Sequence, residues 1–343
     1  MKGLAICHKG IEDIAEKEIE EIIDEAGTVE ERAIIFNADT EKLAKLAYMG
    51  RSIKRVLAFL GKAKINSRFE DIVPLLQQLV KESKSAEWLQ CRTFKVEAKR
   101  IGEHDFTSQD VVEKIGELFL EKHTKDGTKV AMENPQVIVF VFINQNVLYL
   151  GIEVSGFDLS KREYKLFSTG ASINSSVAYA LARIAKVKQK ETILDPFCNA
   201  GVIPIEIALY LKNLSTNFYR KDKMWFSKVL HIDAKQFDNP LDPEVKIIEY
   251  DRLMNFMQAT KKNAQIAGVN KLIYISRADI EWLDTKQEEK SIDKIVTRMP
   301  SLSKTFDKKG AEKLYKEFFY KAEFILADKG KIAFIIDNDE FFK

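Results

Sequence analysis

Helical and strand-like hydrophobic patterns alternate at the start of the chain. Residues 10–27, GIEDIAEKEIEEIIDEAG, carry apolar side chains at helical spacing between strand-like segments at 3–7 and 31–38. The isoleucines of the predicted apolar helix face are Ile11, Ile14, Ile19 and Ile22. A second helical segment runs into a strand within residues 40–61. This order predicts a small α+β unit over residues 1–62.

A second α/β pattern follows over about residues 66–160. An amphipathic helix is predicted at 107–123, where Thr107 and Ser108 supply the polar side chains that cap a helix start. The remaining predicted elements are a helix at 68–83 and strands at 93–102, 136–143 and 147–154. This set predicts a second compact unit with its own sheet.

The pattern changes after a polar stretch at 155–172, punctuated by Gly156 and Gly170, which is typical of a linker. Helices and strands then alternate to the end of the chain. The predicted helices are 174–187, 203–212, 253–267 and 309–325, and the predicted strands are 191–195, 245–250, 272–276, 292–297 and 330–336. Strands that alternate with helices predict a parallel, doubly wound sheet.

The composition fits a globular protein of two or three domains, with 343 residues of which 45% are hydrophobic. Because the formal net charge is only +2, any basic surface has to be local. The chain has three cysteines that lie far apart, Cys7, Cys91 and Cys198, and no cysteine or histidine has zinc-ligand spacing. This argues against a structural metal site and against disulfides, and it favours a cytoplasmic location. The longest apolar run, 137–143, is too short to span a bilayer.

The most informative segment is ILDPFCNAG at 193–201, where a buried strand breaks and an apolar helix begins. Asp195 can orient a ligand or a backbone amide at the strand end, and Pro196 stops the strand. Gly201 permits close approach of a ligand to the backbone. Ligands of open parallel sheets bind at this carboxyl edge, so the loop is a candidate binding site.

Two further carboxylates follow the next strands. Asp251 can accept hydrogen bonds from both hydroxyls of a ribose, and Asp279 can accept one from an adenine amine. Since no GxGxxG phosphate loop is present, the set favours S-adenosylmethionine over a dinucleotide. Aspartates at strand ends are common in α/β proteins, so a structural role stays open for each one taken alone.

Several segments resemble the THUMP-domain RNA methyltransferases, especially the archaeal and bacterial tRNA guanine-N2 methyltransferases. DPFCNAGVIPIE at 195–206 is similar to DPFCGSGTIPIE of that family, and residues 251–269 are similar to its second cofactor motif. Residues 10–21 resemble the start of the ferredoxin-like domain that precedes THUMP. The segments that resemble THUMP are FKVEAKRIGEHDFTSQDVVEKIG, ENPQVIVFVFI and LYLGIEVSGFDLSKREYK. The resemblance covers nearly the full chain.

The resemblance implies three domains: a ferredoxin-like domain at 1–62, a THUMP RNA-binding domain at 63–165, and a Rossmann-like class I methyltransferase domain at 166–343. It implies S-adenosylmethionine as the cofactor, tRNA as the partner, and a monomer without a membrane segment. Because the chain ends at Lys343, just after the strand KIAFII, we expect the antiparallel strand pair that normally completes this fold to be missing.

The resemblance also selects site residues. The expected cofactor-binding residues are Ala171, Ser172, Asp195, Phe197, Asn199, Gly201, Asp251 and Asp279. The expected RNA-binding residues are Lys99, Arg100, Lys161 and Arg162. For Ser172 the alternative is a plain helix cap.

The catalytic motif of the family, Asn/Asp-Pro-Pro-Tyr/Phe, has a degenerate counterpart here. In the family, its side-chain amide and a backbone carbonyl accept hydrogen bonds from the target amine, and its aromatic ring stacks on the flipped base. This chain has Arg298, Met299, Pro300 and Ser301 at the corresponding positions. Arginine is only a donor, and serine has no stacking face. In the cofactor loop, Asn199 replaces the first glycine, although asparagine tolerates a left-handed backbone.

Two functions therefore stay open: an S-adenosylmethionine-dependent tRNA methyltransferase, or a catalytically silent relative that binds tRNA or serves as a non-catalytic subunit. A separate question concerns residues 212–228, KNLSTNFYRKDKMWFSK, a long insertion after the first helix of the third domain. Its basic and aromatic residues favour either base stacking with phosphate contacts or a loop anchored by buried aromatics.

Overall fold

The computed structural model describes residues 1–168, 172–303 and 306–337. Its contacts divide the chain into two units. The N-terminal unit comprises Met1–Leu159 and Tyr219–Phe237, and the C-terminal unit comprises Ser160–Phe218 and Asp238–Lys343. The second unit is therefore interrupted by a segment that belongs to the first.

The N-terminal unit is built on one eight-stranded sheet with the order β2-β3-β1-β4-β8-β7-β5-β6. Its strands are β1 (Lys2–Cys7), β2 (Gly27–Glu30), β3 (Ala33–Asn37), β4 (Ile53–Lys64), β5 (Thr93–Ile101), β6 (Lys129–Val130), β7 (Val137–Asn144) and β8 (Val147–Glu153). Its helices within the first 159 residues are α1 (Glu12–Ile23), α2 (Thr40–Met49), α3 (Phe69–Glu82), α4 (Ala86–Leu89) and α5 (Ser108–His123).

The sheet is continuous across the two α/β patterns that the sequence separates. β4 pairs antiparallel with β8 from Leu57–Glu153 to Lys64–Val147, which joins the first pattern to the second. β7 is buried on both faces and carries the run VIVFVFIN. The α5 helix begins with the expected cap, since Thr107 accepts from the Asp110 amide and Asp110 accepts in return from the Thr107 amide.

The segment Tyr219–Phe237 completes the core of the N-terminal unit. Met224, Trp225 and Phe226 are at most 6% exposed. The Trp225 ring lies 6.2 Å from the Trp88 ring, and its Nε1 donates to the Gln136 carbonyl at 2.5 Å. The base-stacking interpretation is therefore wrong for Trp225 and Phe226, for which the anchored-loop interpretation is confirmed, whereas Tyr219 is 65% exposed. Burial of three large apolar side chains fixes the segment.

The C-terminal unit contains the predicted parallel sheet, with the strand order β11-β10-β9-β12-β13 and parallel pairing throughout. The strands are β9 (Thr192–Asp195), β10 (Lys246–Asp251), β11 (Ile273–Arg277), β12 (Ile292–Arg298) and β13 (Leu326–Ile335). The helices after residue 160 are α6 (Ser175–Ala185), α7 (Val202–Leu211), α8 (Trp225–Val229), α9 (Met254–Ile266), α10 (Leu283–Lys286) and α11 (Lys308–Ile325), of which α8 belongs to the N-terminal unit. Among the described residues, no helix has the length and apolar character to cross a membrane.

Candidate functional site

Three of the predicted site residues are the last residues of neighbouring strands. Asp195 ends β9, Asp251 ends β10 and Arg298 ends β12. Because these strands are parallel and adjacent in the sheet, their ends share one edge. The edge is therefore the place where the sequence-predicted residues meet.

Asp195 is only 2% exposed and acts first on its own loop. Its Oδ1 accepts from the Phe197 amide at 3.1 Å and from the Thr297 hydroxyl at 2.6 Å, and its Oδ2 is buried without a partner. Burial raises the pKa of Asp195 to about 7, and the nearby charge of Asp251 acts in the same direction. The side chain therefore fixes the loop through Oδ1, and Oδ2 retains its capacity to accept a hydrogen bond.

Asn199 and Asp251 join the loop to the neighbouring strand. Asn199 has a left-handed backbone, with φ +51°, and its amide donates to Asp251 Oδ2 at 3.1 Å. Asp251 Oδ1 accepts from the Leu253 amide at 2.9 Å. A carboxylate offers about four acceptor positions, so two remain. Asp251 thus fits the two hydroxyls of a ribose.

Gly201 is required by the packing of α7 on α9. Its φ is +75°, and a Cβ placed there would lie 2.4 Å from Cγ2 of Thr260. The space beside Gly201 is filled by the protein itself, so the close approach of a ligand is not what demands glycine here. The Thr260 hydroxyl also donates to the Asn199 carbonyl at 3.2 Å, which ties α9 to the loop.

Asn263 on α9 connects the loop to the segment before α6. Its Oδ1 accepts from the Phe167 amide at 3.1 Å, and its Nδ2 donates to the carbonyls of Phe167 at 2.9 Å and Ala200 at 3.0 Å. The side chain is fully buried. One residue therefore positions two stretches of backbone at the same edge.

Glu249 on β10 is a fully buried carboxyl next to this loop, facing Asp195 across the strand pair. The Cys198 thiol and the Thr260 hydroxyl lie beside its carboxyl oxygens. Burial raises the pKa of Glu249 to about 8. Hydrogen bonding from the Cys198 thiol and the Thr260 hydroxyl acts in the opposite direction. Burial also raises the pKa of Cys198, so this thiol is not a nucleophile.

A pocket at this edge brings several predicted residues together. Its lining includes Ser172, Phe197, Asn199 and Arg298, with Ile173, Cys198, Ala200, Val202 and Ile203. Asp279 is exposed, does not line this pocket, and caps a short helical turn by accepting from the Ile280 amide at 2.7 Å. Ala171 lies outside the described residues. The pocket thus combines several cofactor-loop residues with Arg298, whereas Asp195, Gly201 and Asp251 are not among its lining residues.

Arg298, at the first predicted motif position, forms an ion pair that the sequence did not predict. Arg298 Nη2 donates to Asp337 Oδ2 at 2.8 Å and Oδ1 at 3.1 Å, and the Ser301 hydroxyl donates to Asp337 Oδ2 at 2.5 Å. Met299 is 1% exposed, so its side chain cannot reach a substrate. The Pro300 carbonyl accepts from the Tyr315 hydroxyl at 2.5 Å.

The predicted RNA-binding residues fall into different environments. Lys99 is exposed on β5, and Lys161 is also exposed. Arg100 donates to the Gly102 carbonyl at 3.2 Å and contacts His104 Nδ1 at 3.1 Å. The prediction is wrong for Arg162, whose side chain is fully buried in an ion pair with Glu206.

The Arg162–Glu206 pair is a structural element of the C-terminal unit. Arg162 Nε lies 2.9 Å from Glu206 Oε1 and Nη2 lies 3.3 Å from Oε2, while the Tyr164 hydroxyl donates to Oε1 at 2.7 Å. These bonds compensate a carboxylate in the otherwise apolar helix α7. A phosphate of RNA could not reach the buried guanidinium.

The site residues that the sequence analysis missed are Thr260, Asn263, Glu249, Thr297 and Asp337. Only Asp337 carried a usable signal, because it is a carboxylate just after the strand KIAFII, the same signal that selected Asp251. Among the described residues, no cluster of three histidine, cysteine or acidic side chains could hold a metal ion.

The parallel sheet and its carboxylate-lined edge define the C-terminal unit as a Rossmann-like domain with a nucleoside-type site. The sequence family described as the RMKL-like methyltransferase domain matches residues 162–343. The THUMP domain matches residues 66–153, and the RlmL ferredoxin-like domain matches residues 2–57. The chain therefore belongs to the RMKL-like methyltransferase family, with ferredoxin-like and THUMP domains before the methyltransferase domain.

Curated relatives match over nearly the whole chain. The tRNA (guanine(6)-N2)-methyltransferase of Methanocaldococcus jannaschii is 30% identical over 97% of this chain and 90% of its own. The protein of the same name from Archaeoglobus fulgidus is 25% identical over 97% of this chain and 82% of its own.

Solved structures share the fold. TrmN from Thermus thermophilus has a TM-score of 0.71 at 23% identity, over 99% of this chain and 90% of that one. SMU.472, solved in complex with SAH, has a TM-score of 0.81 at 18% identity, with the same coverage. These likenesses confirm the predicted order of a ferredoxin-like and THUMP region followed by a Rossmann-like methyltransferase fold.

Proposed function

We propose that this protein transfers a methyl group from S-adenosylmethionine to the exocyclic N2 amine of a guanine in tRNA. The observation that carries the proposal is the pocket at the carboxyl edge, where the cofactor-loop residues and Arg298 line one space. The names of the M. jannaschii and A. fulgidus relatives support guanine N2 and tRNA as the substrate.

Cofactor binding rests on the residues that already order the edge. Asp251 has acceptor positions left for the two ribose hydroxyls, and Asn199 holds the loop against Asp251. Phe197 and Ser172 line the pocket at this edge together with Asn199, whose amide binds Asp251 just outside the lining. When bound, S-adenosylmethionine supplies the electrophilic methyl group, and the protein contributes position and hydrogen bonds.

Contact with tRNA is assigned to the N-terminal unit, where cations gather near the end of β1. Burial and the charges of Lys99 and Arg32 lower the pKa of Lys54 to about 8, although Asp158 acts in the opposite direction. Arg32 Nε is buried without a hydrogen-bond partner, whereas burial and the charge of Lys54 lower the pKa of His8 to about 4, so this imidazole is neutral. Neighbouring cations with unused donors favour an anion, and RNA phosphates have the required charge.

A second candidate function is a catalytically silent tRNA-binding relative. The observations that favour it are the donor-only Arg298 at the motif position and the Pro300 carbonyl already bonded to Tyr315. In that case the N-terminal unit would still bind tRNA.

Calorimetric titration with S-adenosylmethionine tests cofactor binding. We expect the wild type to bind. Asp251→Ala should lose at least about tenfold in affinity, since hydrogen bonds to a charged group contribute roughly 1.5–3 kcal/mol. The control Asp242→Ala, in an exposed loop, should bind like the wild type. No binding at millimolar cofactor would contradict the enzyme proposal.

Transfer of a labelled methyl group into bulk unmodified tRNA tests the reaction itself. Label in N2-methylguanosine after digestion supports the proposal. Cofactor and tRNA binding without transfer of label favours the silent relative.

A further inference from the structure

The side chains of Arg298 and Met299, at the first two predicted motif positions, offer no acceptor for the target amine. Arg298 carries only donors, and the Met299 side chain is buried. The Ser301 hydroxyl donates to Asp337, and the Pro300 carbonyl is bonded to Tyr315. Ser301 and Pro300 keep acceptor lone pairs but carry no charge, so an exocyclic amine that approaches Arg298 would find a stronger acceptor in a carboxylate from another element.

Asp337 lies at that position. β13 pairs in parallel with β12, and Arg298 is the register partner of Ile335, so Asp337 follows two residues beyond the last pair at the same edge of the sheet. Its carboxylate is bonded to Arg298 and Ser301 and is still 50% exposed. It is thus held next to a pocket-lining residue while remaining open to an incoming group.

The charges suit an acceptor. Hydrogen bonds from Ser301 and Arg298 and the charge of Arg298 lower the pKa of Asp337. Two of these hydrogen bonds go to Oδ2 and one goes to Oδ1, so Oδ1 retains acceptor capacity. The carboxylate also balances the Arg298 charge, which would otherwise repel the cationic sulfonium of the cofactor.

We propose that Asp337, positioned by Arg298 and Ser301, accepts the hydrogen bond from the target guanine amine that the motif residue itself cannot accept. This role rests on the proposed function. The N2 lone pair forms a bond to the methyl carbon, the carbon–sulfur bond breaks with its electron pair on sulfur, and the methylated amine releases one proton to water. Asp337 aligns the amine for this step.

Replacing Asp337 by alanine or by asparagine distinguishes a role as hydrogen-bond acceptor from a role in the ion pair with Arg298. We expect Asp337→Ala to lower kcat by roughly 100-fold, at the lower end of the range found for removal of one positioned hydrogen-bonding group. Asp337→Asn retains a carbonyl acceptor, so we expect its log kcat to lie at least half-way back from the alanine variant to the wild type. The matched control is Asp328→Ala, which removes the β13 carboxylate that lies 2.7 Å from Lys290. Its kcat should stay within about twofold of wild type. Equal losses for alanine and asparagine would overturn the acceptor role, because neither residue pairs with Arg298 as a carboxylate does.

A binding measurement tests the role without turnover. With saturating S-adenosylhomocysteine, the wild type should bind guanosine monophosphate more tightly than inosine monophosphate, which lacks the amine, by about fivefold. Asp337→Ala should abolish the difference, and Asp328→Ala should preserve it. A wild type that does not discriminate between the two nucleotides overturns the role of Asp337, whatever its activity. Discrimination through Asp337 without methyl transfer upholds this role and contradicts the proposed function.

Discussion

Asn199 shows how a single side chain can replace a loop glycine. Its left-handed backbone is one that asparagine adopts more easily than most residues, and its Nδ2 donates to the Phe197 carbonyl at 3.1 Å. Its amide binds Asp251 in the same turn. Asn199 therefore supports a left-handed turn at the position where the family that this loop resembles has glycine.

Glu249 makes the stability of the C-terminal unit depend on pH. Its pKa is about 8 in the folded protein, against an ordinary value of 4.5. Between these values the unfolded chain is ionised and the folded carboxyl is protonated, so unfolding releases a proton. The free energy of unfolding therefore falls as pH rises through this window and levels off above about pH 8.

We expect Glu249→Gln to reduce this pH dependence. Without cofactor, its unfolding free energy relative to wild type should rise by roughly 1 kcal/mol or more between pH 5 and pH 8, since one pKa unit corresponds to about 1.4 kcal/mol. Calorimetric unfolding at both pH values measures the difference. The exposed control Glu289→Gln should show none, and an equal response of the two variants would contradict the assignment. Asp195, with a pKa of about 7, keeps part of the dependence.

At the residue scale, the sequence predicts side chains that follow simple strand-end patterns. Asp195 and Asp251 lie at the predicted edge because both directly follow buried strands. Arg162 could not be interpreted correctly, since its partner Glu206 lies on a distant helix and only the fold brings them together. The contact between Arg298 and Asp337 depends likewise on strand register.

At the element scale, the site depends on how α7 packs on α9. Gly201 begins α7 with a positive φ and lies against Thr260 of α9, whose hydroxyl binds the loop. The apolar run Val202–Leu211 is buried nearly all round, so α7 cannot shift to make room. The helix start and the cofactor loop are therefore coupled.

We expect Gly201→Ala to destabilise the C-terminal unit by roughly 1–3 kcal/mol, from the strained backbone and the contact with Thr260. Thermal unfolding measures the loss. Thr260→Ser in the same chain should recover part of it, because it removes Cγ2 and retains the hydroxyl.

Gly116→Ala is the matched control for that substitution. Gly116 lies in α5, and a Cβ there would have only Val96 as a neighbour, at 3.9 Å. A helical glycine replaced by alanine should stabilise by about 0.5–1 kcal/mol. If Gly201→Ala behaved like Gly116→Ala, the packing argument would be wrong.

The elements themselves were largely predictable. Every helix and strand expected after residue 174 is present within a few residues of its predicted bounds, because hydrophobic periodicity is strong in buried α/β elements. The single sheet of the N-terminal unit was not predictable, since the β4–β8 pairing joins strands nearly a hundred residues apart. Local patterns do not contain such pairings.

At the scale of the whole molecule, the N-terminal unit carries the basic group around Lys54 and Lys99. We expect Lys54→Gln with Lys99→Gln to weaken tRNA binding and to reduce the slope of log affinity against log salt by about 1–2, the loss of one or two phosphate contacts. Filter binding across a salt series measures both quantities, and cofactor affinity should not change.

The control for this charge change is Lys2→Gln with Lys17→Gln, two exposed lysines of the same unit. We expect the control pair to leave the salt slope near its wild-type value. Equal slopes for the two double variants would place the tRNA contact elsewhere.

The segment Tyr219–Phe237 makes a fragment of residues 1–159 incomplete. Without Met224, Trp225 and Phe226, the apolar surface around Trp88 is left uncovered. We expect this fragment to aggregate on purification, as light scattering would show, and a peptide of residues 219–237 to keep it soluble. A peptide with Trp225→Ala and Phe226→Ala should fail to do so.

The same segment sets an order on folding during synthesis. A ribosome produces β1 to β8 first, then β9 and α7 of the other unit, and only afterwards the residues that close the first core. The core of the N-terminal unit is therefore still incomplete when β9, the strand that bears Asp195, is synthesised. Neither unit can complete its core before translation has passed residue 237, so we expect the folding of the two units to overlap in time during synthesis.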